Sequence, residues 1–235
     1  MIAAQGLGFR HLVREVTLDV QPGDVIALFG ANGAGKSTLL SLLAGDRRPT
    51  AGTISYAGRD LSRIPSRELA RYRAVLRQHS QLTAAFTALD VVRLGRDDRE
   101  VAGHYLSEVG LRHLATRVYP SLSGGEQQRV HLARVLAQVH ARHPSAIFLD
   151  EPNSAADLRA TEVVDRLVTD AAVRGHAIIL VAHDVATIAR CATRVLVMHE
   201  GRVIADTPRL SADDAARAFD VSPEWIRQRM MTVSW

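Results

Sequence analysis

Short apolar segments bounded by turn residues alternate along this chain with longer segments in which apolar residues recur at helical spacing. The short segments predict largely buried strands, because a strand covered on both faces has few polar positions. These predicted strands are residues 16–20, 25–29, 53–56, 147–149, 177–181, 195–198 and 203–205. Pro22-Gly23 predicts a tight turn between the first two strands, and residues 199–202 predict a hairpin turn between the last two.

Helical spacing is concentrated in the middle of the chain, where residues from about 66 to 142 predict mostly helix. Among the strands, residues 37–44 predict a helix that Gly45 ends, and residues 160–173 predict another. The chain is therefore expected to be one α/β domain interrupted by a helical insert. Its expected parts are an α/β core of about residues 1–82 and 143–210, a helical subdomain of about 83–142 and a tail of 211–235 with a short helix.

The composition excludes several classes of protein. With 235 residues, 47% of them hydrophobic and 23% charged, the chain is neither disordered, collagen-like nor a coiled-coil rod. The apolar run at 177–182 is far shorter than the roughly 20 residues that span a bilayer, and no signal peptide is evident. The single cysteine, Cys191, fits a reducing compartment. We expect a soluble, cytoplasmic protein that reaches a membrane only through a partner.

The charge pattern argues against nucleic acid as a partner. The net charge is +4, and the arginines are scattered along the chain without a dense basic block. Lys36 is the only lysine of the chain. This exception indicates a site that requires a compact ammonium group in place of a planar guanidinium.

A glycine-rich loop between a predicted strand and a predicted helix contains that lysine. The segment Gly30-Ala31-Asn32-Gly33-Ala34-Gly35-Lys36-Ser37 matches the pattern G-x-x-x-x-G-K-[ST]. Its glycines let backbone N–H groups turn toward one phosphate group at the helix N-terminus. Lys36 is expected to reach the outer phosphates and the Ser37 hydroxyl to bind Mg²⁺. The predicted nucleotide-binding residues here are Gly30, Asn32, Gly33, Ala34, Gly35, Lys36, Ser37 and Thr38.

Two carboxylates follow the apolar strand at 147–149. Asp150 and Glu151 are expected at the carboxyl edge of a parallel sheet, where such folds bind ligands. Asp150 suits Mg²⁺ through its water shell, and Glu151 suits positioning or deprotonating an attacking water. Alone this pattern is weak, because charged residues commonly end strands, but beside a phosphate loop it is strong.

A second helix start in the chain is also suited to phosphate. In the segment Leu122-Ser123-Gly124-Gly125-Glu126-Gln127-Gln128-Arg129, Ser123 is expected to cap the helix, and Gly124 and Gly125 allow a close approach of the backbone. The predicted nucleotide-binding residues here are Ser123, Gly124, Gly125 and Glu126. Two such starts for one nucleotide favour a homodimer in which the loop of one copy and this helix of the other enclose the same ATP.

With these motifs the chain resembles the nucleotide-binding subunits of ATP-binding cassette (ABC) transporters over nearly its whole length. By this resemblance Gln78 is the glutamine that links Mg²⁺ and the attacking water to the transmembrane partner, and His183 senses the γ-phosphate. Ser154-Ala155-Ala156-Asp157 corresponds to the loop through which neighbouring subunits communicate. The resemblance implies the P-loop NTPase fold with an N-terminal antiparallel β region and an inserted helical subdomain. It also implies ATP hydrolysis with ATP and Mg²⁺ as cofactors, Glu151, His183 and Gln78 as catalytic residues, and Ser37, Gln78 and Asp150 at the metal.

The chain departs from the family pattern at a few positions. Ala156 replaces a leucine, which is expected to loosen the coupling between subunits slightly, and Asn153 stands where threonine is usual. The family stacks an aromatic ring on adenine. Phe9 is the candidate for that role, with His11 as the alternative, and Phe9 could instead belong to the core.

Four segments, residues 73–82, 86–87, 91–96 and 128–138, resemble those of haem importer ATPases. They are less similar to those of siderophore and cobalamin importers. The implied partners are a second copy of the chain, two transmembrane permease subunits and, indirectly, a periplasmic binding protein, at the cytoplasmic face of the inner membrane. The alternative is a soluble ABC ATPase of the iron–sulfur assembly type, which has no permease.

Overall fold

The computed structural model describes residues 1–78, 82, 84–141, 145–153 and 157–231. The strands are β1 (Ile2–Phe9), β2 (Val13–Val20), β3 (Val25–Gly30), β4 (Ala51–Tyr56), β5 (Arg59–Asp60), β6 (Arg73–Leu76), β7 (Ala146–Asp150), β8 (Ala177–Val181), β9 (Arg194–His199) and β10 (Arg202–Thr207). The helices are α1 (Lys36–Leu43), α2 (Ser66–Leu69), α3 (Ala88–Arg93), α4 (Arg99–Glu108), α5 (Gly124–Val139), α6 (Leu158–Val173), α7 (Val185–Cys191), α8 (Ala212–Phe219) and α9 (Pro223–Met231).

A six-stranded sheet in the order β10-β9-β3-β8-β7-β6 forms the centre of the domain. Neighbouring strands from β9 to β6 run parallel, and β10 is antiparallel to β9. Every residue of β3 and β8 is buried, as expected for strands covered on both faces. One core cluster joins the sheet to the helices of the insert, α6 and α8, and the other joins it to α1 and the N-terminal strands. The predicted α/β fold with a helical insert is confirmed.

The N-terminal strands form a second, antiparallel sheet in the order β2-β1-β4-β5. Its apolar face packs with α1, and the Tyr56 hydroxyl donates a hydrogen bond to the Leu43 carbonyl at 2.6 Å. The predicted tight turn at Pro22-Gly23 is confirmed, with the Asp24 N–H donating to the Gln21 carbonyl at 3.1 Å, and the strands it joins, β2 and β3, lie in different sheets. β1 was not predicted, because its burial alternates only in part and a bulge shifts its register.

Further differences from the sequence expectation concern β6 and the C-terminal segment, and neither β5 nor α7 was predicted. β6 lies inside the segment predicted as mostly helical and pairs in parallel with β7. A strand of four residues is too short for its alternation to be distinguished from helical spacing. The C-terminal segment contains two helices, α8 and α9, where one short helix was expected.

The helical insert is fixed to the sheet mainly through α5. The Gln138 side chain donates to the carbonyls of Ala70 and Arg73 at 3.1 and 3.0 Å, and the Arg134 guanidinium donates to the Val75 carbonyl at 3.0 Å. Capping boxes begin α3 and α5. Within the described ranges, no helix is long and apolar enough to cross a bilayer.

Two glycines of the insert provide a stability test. A Cβ at Gly95 would lie 2.2 Å from the Arg134 carbonyl oxygen, whereas a Cβ at Gly103 in α4 meets nothing within 4 Å. We expect Gly95→Ala to lower the free energy of unfolding by about 1–3 kcal/mol, because the backbone of α5 must move. Gly103→Ala should raise it by about 0.5–1 kcal/mol through helix propensity. Urea unfolding measures both, and equal effects of the two substitutions would contradict this packing of α5.

Candidate nucleotide-binding site

The predicted functional residues converge on one edge of the six-stranded sheet. The glycine-rich loop follows β3, Asp150 and Glu151 stand at the end of β7, and His183 follows β8. These strands are parallel neighbours, so their carboxyl ends meet at the same edge. The topology therefore brings together side chains that are far apart in the sequence.

Glycine is required in the loop for two separate reasons. Gly30 and Gly35 have φ values of 151° and 98°, and a Cβ on either would lie 2.2 Å from a carbonyl oxygen, that of Met198 or Leu12 respectively. Gly33 has a φ of 84°, and a Cβ there would meet nothing within 4 Å, so only its backbone conformation favours glycine. Gly30 and Gly35 therefore permit close packing, and Gly33 permits the turn.

Two hairpin turns support the loop from outside, through contacts that the sequence did not indicate. The Gly201 N–H donates to the Ala34 carbonyl at 3.1 Å, and the Arg14 N–H donates to the Gly201 carbonyl at 2.8 Å. A Cβ at Gly201 would lie 2.9 Å from the Leu12 oxygen. The turn at 199–202 was recognised in the sequence, but no local signal indicates that it touches the loop.

Lys36 is held inside the loop. Its side chain is buried, and its Nζ donates to the carbonyls of Gly30 and Ala31 at 2.7 and 2.8 Å. Burial lowers the pKa of Lys36, and the nearby carboxylates of Glu151 and Asp150 oppose that shift. The ammonium is thus enclosed by the loop and lies within the electrostatic influence of the two carboxylates, and its reach to the outer phosphates stays a prediction.

Ser37 and Asp150 form the oxygen pair expected at a magnesium site. The Ser37 hydroxyl donates to Asp150 Oδ1 at 3.0 Å. Burial raises the pKa of Asp150, and the hydrogen bond from Ser37 partly offsets that shift. A hydroxyl and a carboxylate are hard oxygen ligands, so this donor set fits Mg²⁺ coordinated partly by water and by phosphate.

Glu151 is the side chain on which most of the site converges. Its Oε2 accepts a hydrogen bond from Gln78 Nε2 at 2.8 Å, and its Oε1 lies 2.7 Å from His183 Nε2. Its main-chain carbonyl accepts from Gln128 Nε2 at 2.8 Å. The structure thus brings together the three residues predicted to be catalytic. It adds Gln128, whose role no sequence pattern indicated.

The start of α5 is built as predicted but uses its polar side chains locally. Ser123 Oγ accepts from the Glu126 N–H at 3.4 Å, and a Glu126 carboxylate oxygen accepts from the Ser123 N–H at 2.8 Å. That backbone hydrogen bond lowers the pKa of Glu126. A Cβ at Gly124 would meet nothing within 4 Å, so this chain leaves the helix start open on that side.

The two candidates for adenine stacking lie at the first hairpin. Phe9 is half-buried against the N-terminal core, and the guanidinium carbons of Arg10 and Arg47 lie 5.4 and 5.7 Å from its ring centroid. His11 is exposed in the turn that contacts the loop. The assignment of either residue to adenine stays a prediction.

The predicted communication loop falls largely outside the described residues, which omit 154–156. Asp157, its last residue, caps α6 by accepting a hydrogen bond from the Ala160 N–H at 2.7 Å.

The side chains at this edge are those of an ATP-binding P-loop enzyme. They comprise a buried lysine in a phosphate loop, a Ser–Asp oxygen pair, and a carboxylate held by glutamine and histidine. The ABC transporter family model matches residues 13–154, and the chain belongs to this family. The chain is accordingly an ATP-hydrolysing enzyme.

Named relatives cover almost the whole chain. The hemin import ATP-binding protein HmuV of Gloeobacter violaceus is 40% identical, with 96% of this chain and 86% of that protein covered. The protein of the same name from Rhodopseudomonas palustris is 43% identical, with 93% and 88% covered. A solved dimeric ATP-binding cassette in a post-hydrolysis state with ADP and phosphate has a TM-score of 0.78 and 25% identity, covering 88% of this chain and 98% of that one.

The confined position of Lys36 predicts that its charge alone is insufficient. Lys36→Arg keeps the charge, but a planar guanidinium cannot occupy the space between the Gly30 and Ala31 carbonyls. We expect ATP affinity to fall by about tenfold or more, a loss of about 1.4 kcal/mol, in titrations with a fluorescent nucleotide. The exposed substitution Arg63→Lys is the control and should change nothing. Unaltered affinity of Lys36→Arg would refute the role of the loop geometry.

Proposed function

We propose that this chain is the subunit that binds and hydrolyses ATP to drive an importer, and that the imported compound is haem. The observation that carries the proposal is the assembly of Lys36, Ser37, Asp150, Glu151 and His183 at one sheet edge. The haem assignment is supported by the hemin import proteins that match nearly the full chain.

In this proposal the loop 30–38 binds the phosphates of ATP through its backbone N–H groups and Lys36. The Lys36 ammonium exchanges its carbonyl partners for phosphate oxygens, which are stronger acceptors for a charged donor. Ser37, Asp150 and Gln78 hold Mg²⁺, which when bound neutralises charge on the phosphates. Phe9 or His11 stacks on adenine.

Glu151 acts on the attacking water. Its carboxylate accepts a proton as the water oxygen bonds to the γ-phosphorus and the bond to the β–γ bridging oxygen breaks, which yields ADP and phosphate. Gln78 and His183 fix the direction of the two carboxylate oxygens through hydrogen bonds of 2.8 and 2.7 Å. His183 also faces the edge where the γ-phosphate is expected, so it can respond to loss of that group.

Two copies of the chain complete each site. Ser123, Gly124, Gly125 and Glu126 begin a capped helix whose N-terminus carries partial positive charge. The Ser123–Glu126 box occupies both side chains, so the backbone N–H groups are what this helix start offers to a phosphate of the neighbouring copy. Dimeric cassettes among the similar structures support this arrangement.

A groove between β6 and the helical insert is the proposed contact with the permease. It has a volume of 590 Å³, and Leu94, which is 57% exposed, lines it. Three arginines, Arg73, Arg77 and Arg134, line it as well. Gln78, two residues after β6, connects this groove to Glu151. A permease loop seated here at each of two chains would place the dimer at the cytoplasmic face of the inner membrane, with a periplasmic binding protein delivering the cargo.

Mixed dimers test the shared site. Lys36→Ala and Ser123→Arg chains should each hydrolyse ATP poorly alone, because every site then contains one damaged half. In a mixed dimer one site combines two intact halves, so ATPase activity should recover on mixing to a substantial fraction of the wild-type rate. Ser123→Thr, which retains the helix cap, is the control. Absence of any recovery in mixtures shown to form mixed dimers would contradict the shared site.

The import function is tested by reconstitution in lipid with the membrane protein encoded beside the gene. We expect the haem-loaded binding protein to stimulate ATPase activity several-fold over the isolated chain. Leu94→Glu should retain basal activity and lose this stimulation, whereas Val173→Glu, at an 84% exposed position on α6, should lose neither. Stimulation by a siderophore or cobalamin system would reassign the cargo. High activity without association with any membrane protein would favour the soluble ATPase instead.

A further inference from the structure

Asn153 connects two helices directly behind the catalytic edge. Its side-chain Nδ2 donates to Asp165 Oδ1 of α6 and to Thr187 Oγ1 of α7, both at 3.2 Å. Asp165 is buried and also accepts from the Arg190 guanidinium, with Nε at 2.7 Å. Asn153 therefore donates to a fixed carboxylate on one side and to a buried hydroxyl on the other.

This link closes a ring that contains both Glu151 and His183. Thr187 Oγ1 donates to Asp184 Oδ2 at 3.0 Å, and the same carboxylate accepts from the Thr187 N–H at 3.0 Å. Asp184 directly follows His183, which in turn lies 2.7 Å from Glu151 Oε1. Two peptide bonds return from Glu151 to Asn153. The ring thus joins the backbone behind Glu151 to the backbone behind His183.

Hydrogen bonds set the spacing inside this ring more than tight packing does. A pocket of 140 Å³ lies between the segment that begins at Glu151 and the segment that contains His183. Its lining includes Glu151, Asn153, His183, Asp184 and Thr187. Glu151 itself has a φ of 51°, a conformation that side chains rarely adopt and that its surroundings must maintain. The pairing of β7 with β8 ends at the hydrogen bond from the Glu151 N–H to the Val181 carbonyl at 3.2 Å. Beyond it the pocket leaves room for movement, so losing the link allows the Glu151 and His183 side chains to shift relative to each other.

The amide is suited to this position by its donor count. It has two N–H groups and can donate one to each acceptor, and the reversed orientation would direct its oxygen at the Asp165 carboxylate. Threonine, the usual residue here by the family resemblance, has one O–H and can donate to only one of the two. Aspartate at this position would place a second carboxylate against Asp165.

We propose that Asn153 is a positioning residue for hydrolysis, which holds Glu151 and His183 in register by linking the segment after Glu151 to Thr187 of α7, with Asp165 of α6 fixing the orientation of its amide. This rests on the proposed roles of Glu151 and His183, and it adds a residue that touches neither the nucleotide nor the attacking water. The phosphate loop lies outside the ring, so ATP binding is separate from this function.

The test compares Asn153→Leu, which has a similar size and no donor, with Thr169→Val. Thr169 donates to the main-chain oxygen of Asp165 at 3.0 Å, so its loss removes a bond from the same helix without breaking the ring. For Asn153→Leu we expect kcat for ATP hydrolysis to fall by about tenfold or more, since small misplacements of catalytic groups are costly. KM and the affinity for a fluorescent ATP analogue should stay within about twofold of the wild-type values. Thr169→Val should retain its kcat.

A spectroscopic readout separates positioning from general destabilisation. In protein labelled with ¹³C at histidine Cε1, the signal lost in His183→Ala identifies His183. That signal should shift or broaden in Asn153→Leu and stay in place in Thr169→Val. If Asn153→Leu does not fold, Asn153→Thr replaces it and should show an intermediate loss of kcat with ATP affinity retained.

Three results would overturn the proposal: an unchanged kcat, a fall in kcat matched by an equal fall in ATP affinity, or an unmoved His183 signal. Glu151→Gln distinguishes this failure from failure of the proposed function. If Glu151→Gln abolishes hydrolysis while Asn153→Leu does not, only the positioning role is wrong. If Glu151→Gln leaves turnover intact, the catalytic assignment fails as well.

Discussion

The contacts of two hairpin turns with the phosphate loop are the constraint on which this site depends. The carbonyl oxygen of Leu12 would lie 2.2 Å from a Cβ at Gly35 and 2.9 Å from a Cβ at Gly201, and Gly201 forms hydrogen bonds with both Ala34 and Arg14. The loop is consequently shaped by the N-terminal sheet and by the β9–β10 hairpin as well as by its own glycines. Because interiors are close-packed, these contacts fix the directions of the loop N–H groups before any phosphate binds.

Glu151 lies beside this loop and is hydrogen-bonded to three other parts of the domain. Gln78 approaches it from the end of β6, His183 from the end of β8 and Gln128 from the helical insert. A displacement of any of these elements changes the surroundings of Glu151, either at its carboxylate or at its main-chain carbonyl. The insert itself is held by side chains of α5 that bond to main-chain carbonyls beside β6. The geometry thus gives a short physical path from the groove at β6 to Glu151.

The motif residues could be identified in the sequence because each motif is local and has its own chemical signature, while their roles stay predictions. The lysine in the glycine-rich loop, the Asp-Glu pair after an apolar strand and the cap at Ser123 could all be interpreted within a few residues. β1 and β6 were missed, since a bulged strand and a strand of four residues carry little periodicity. The contacts made by Gly201, Gln128 and Asn153 depend on topology, and no spacing in the sequence encodes which carbonyl or carboxylate they meet.

The chain has one cysteine and one lysine, and both are buried, which favours labelling at introduced residues. Cys191 is buried, its thiol lies 3.6 Å from the main-chain oxygen of Asp165, and burial raises its pKa to about 12. Little thiolate exists at neutral pH, so this cysteine is a poor nucleophile. Lys36, the only ε-amine, is enclosed in the loop. Thiol-reactive labels attached at introduced surface cysteines would therefore report distances with little labelling of Cys191. No wild-type residue has to be removed first.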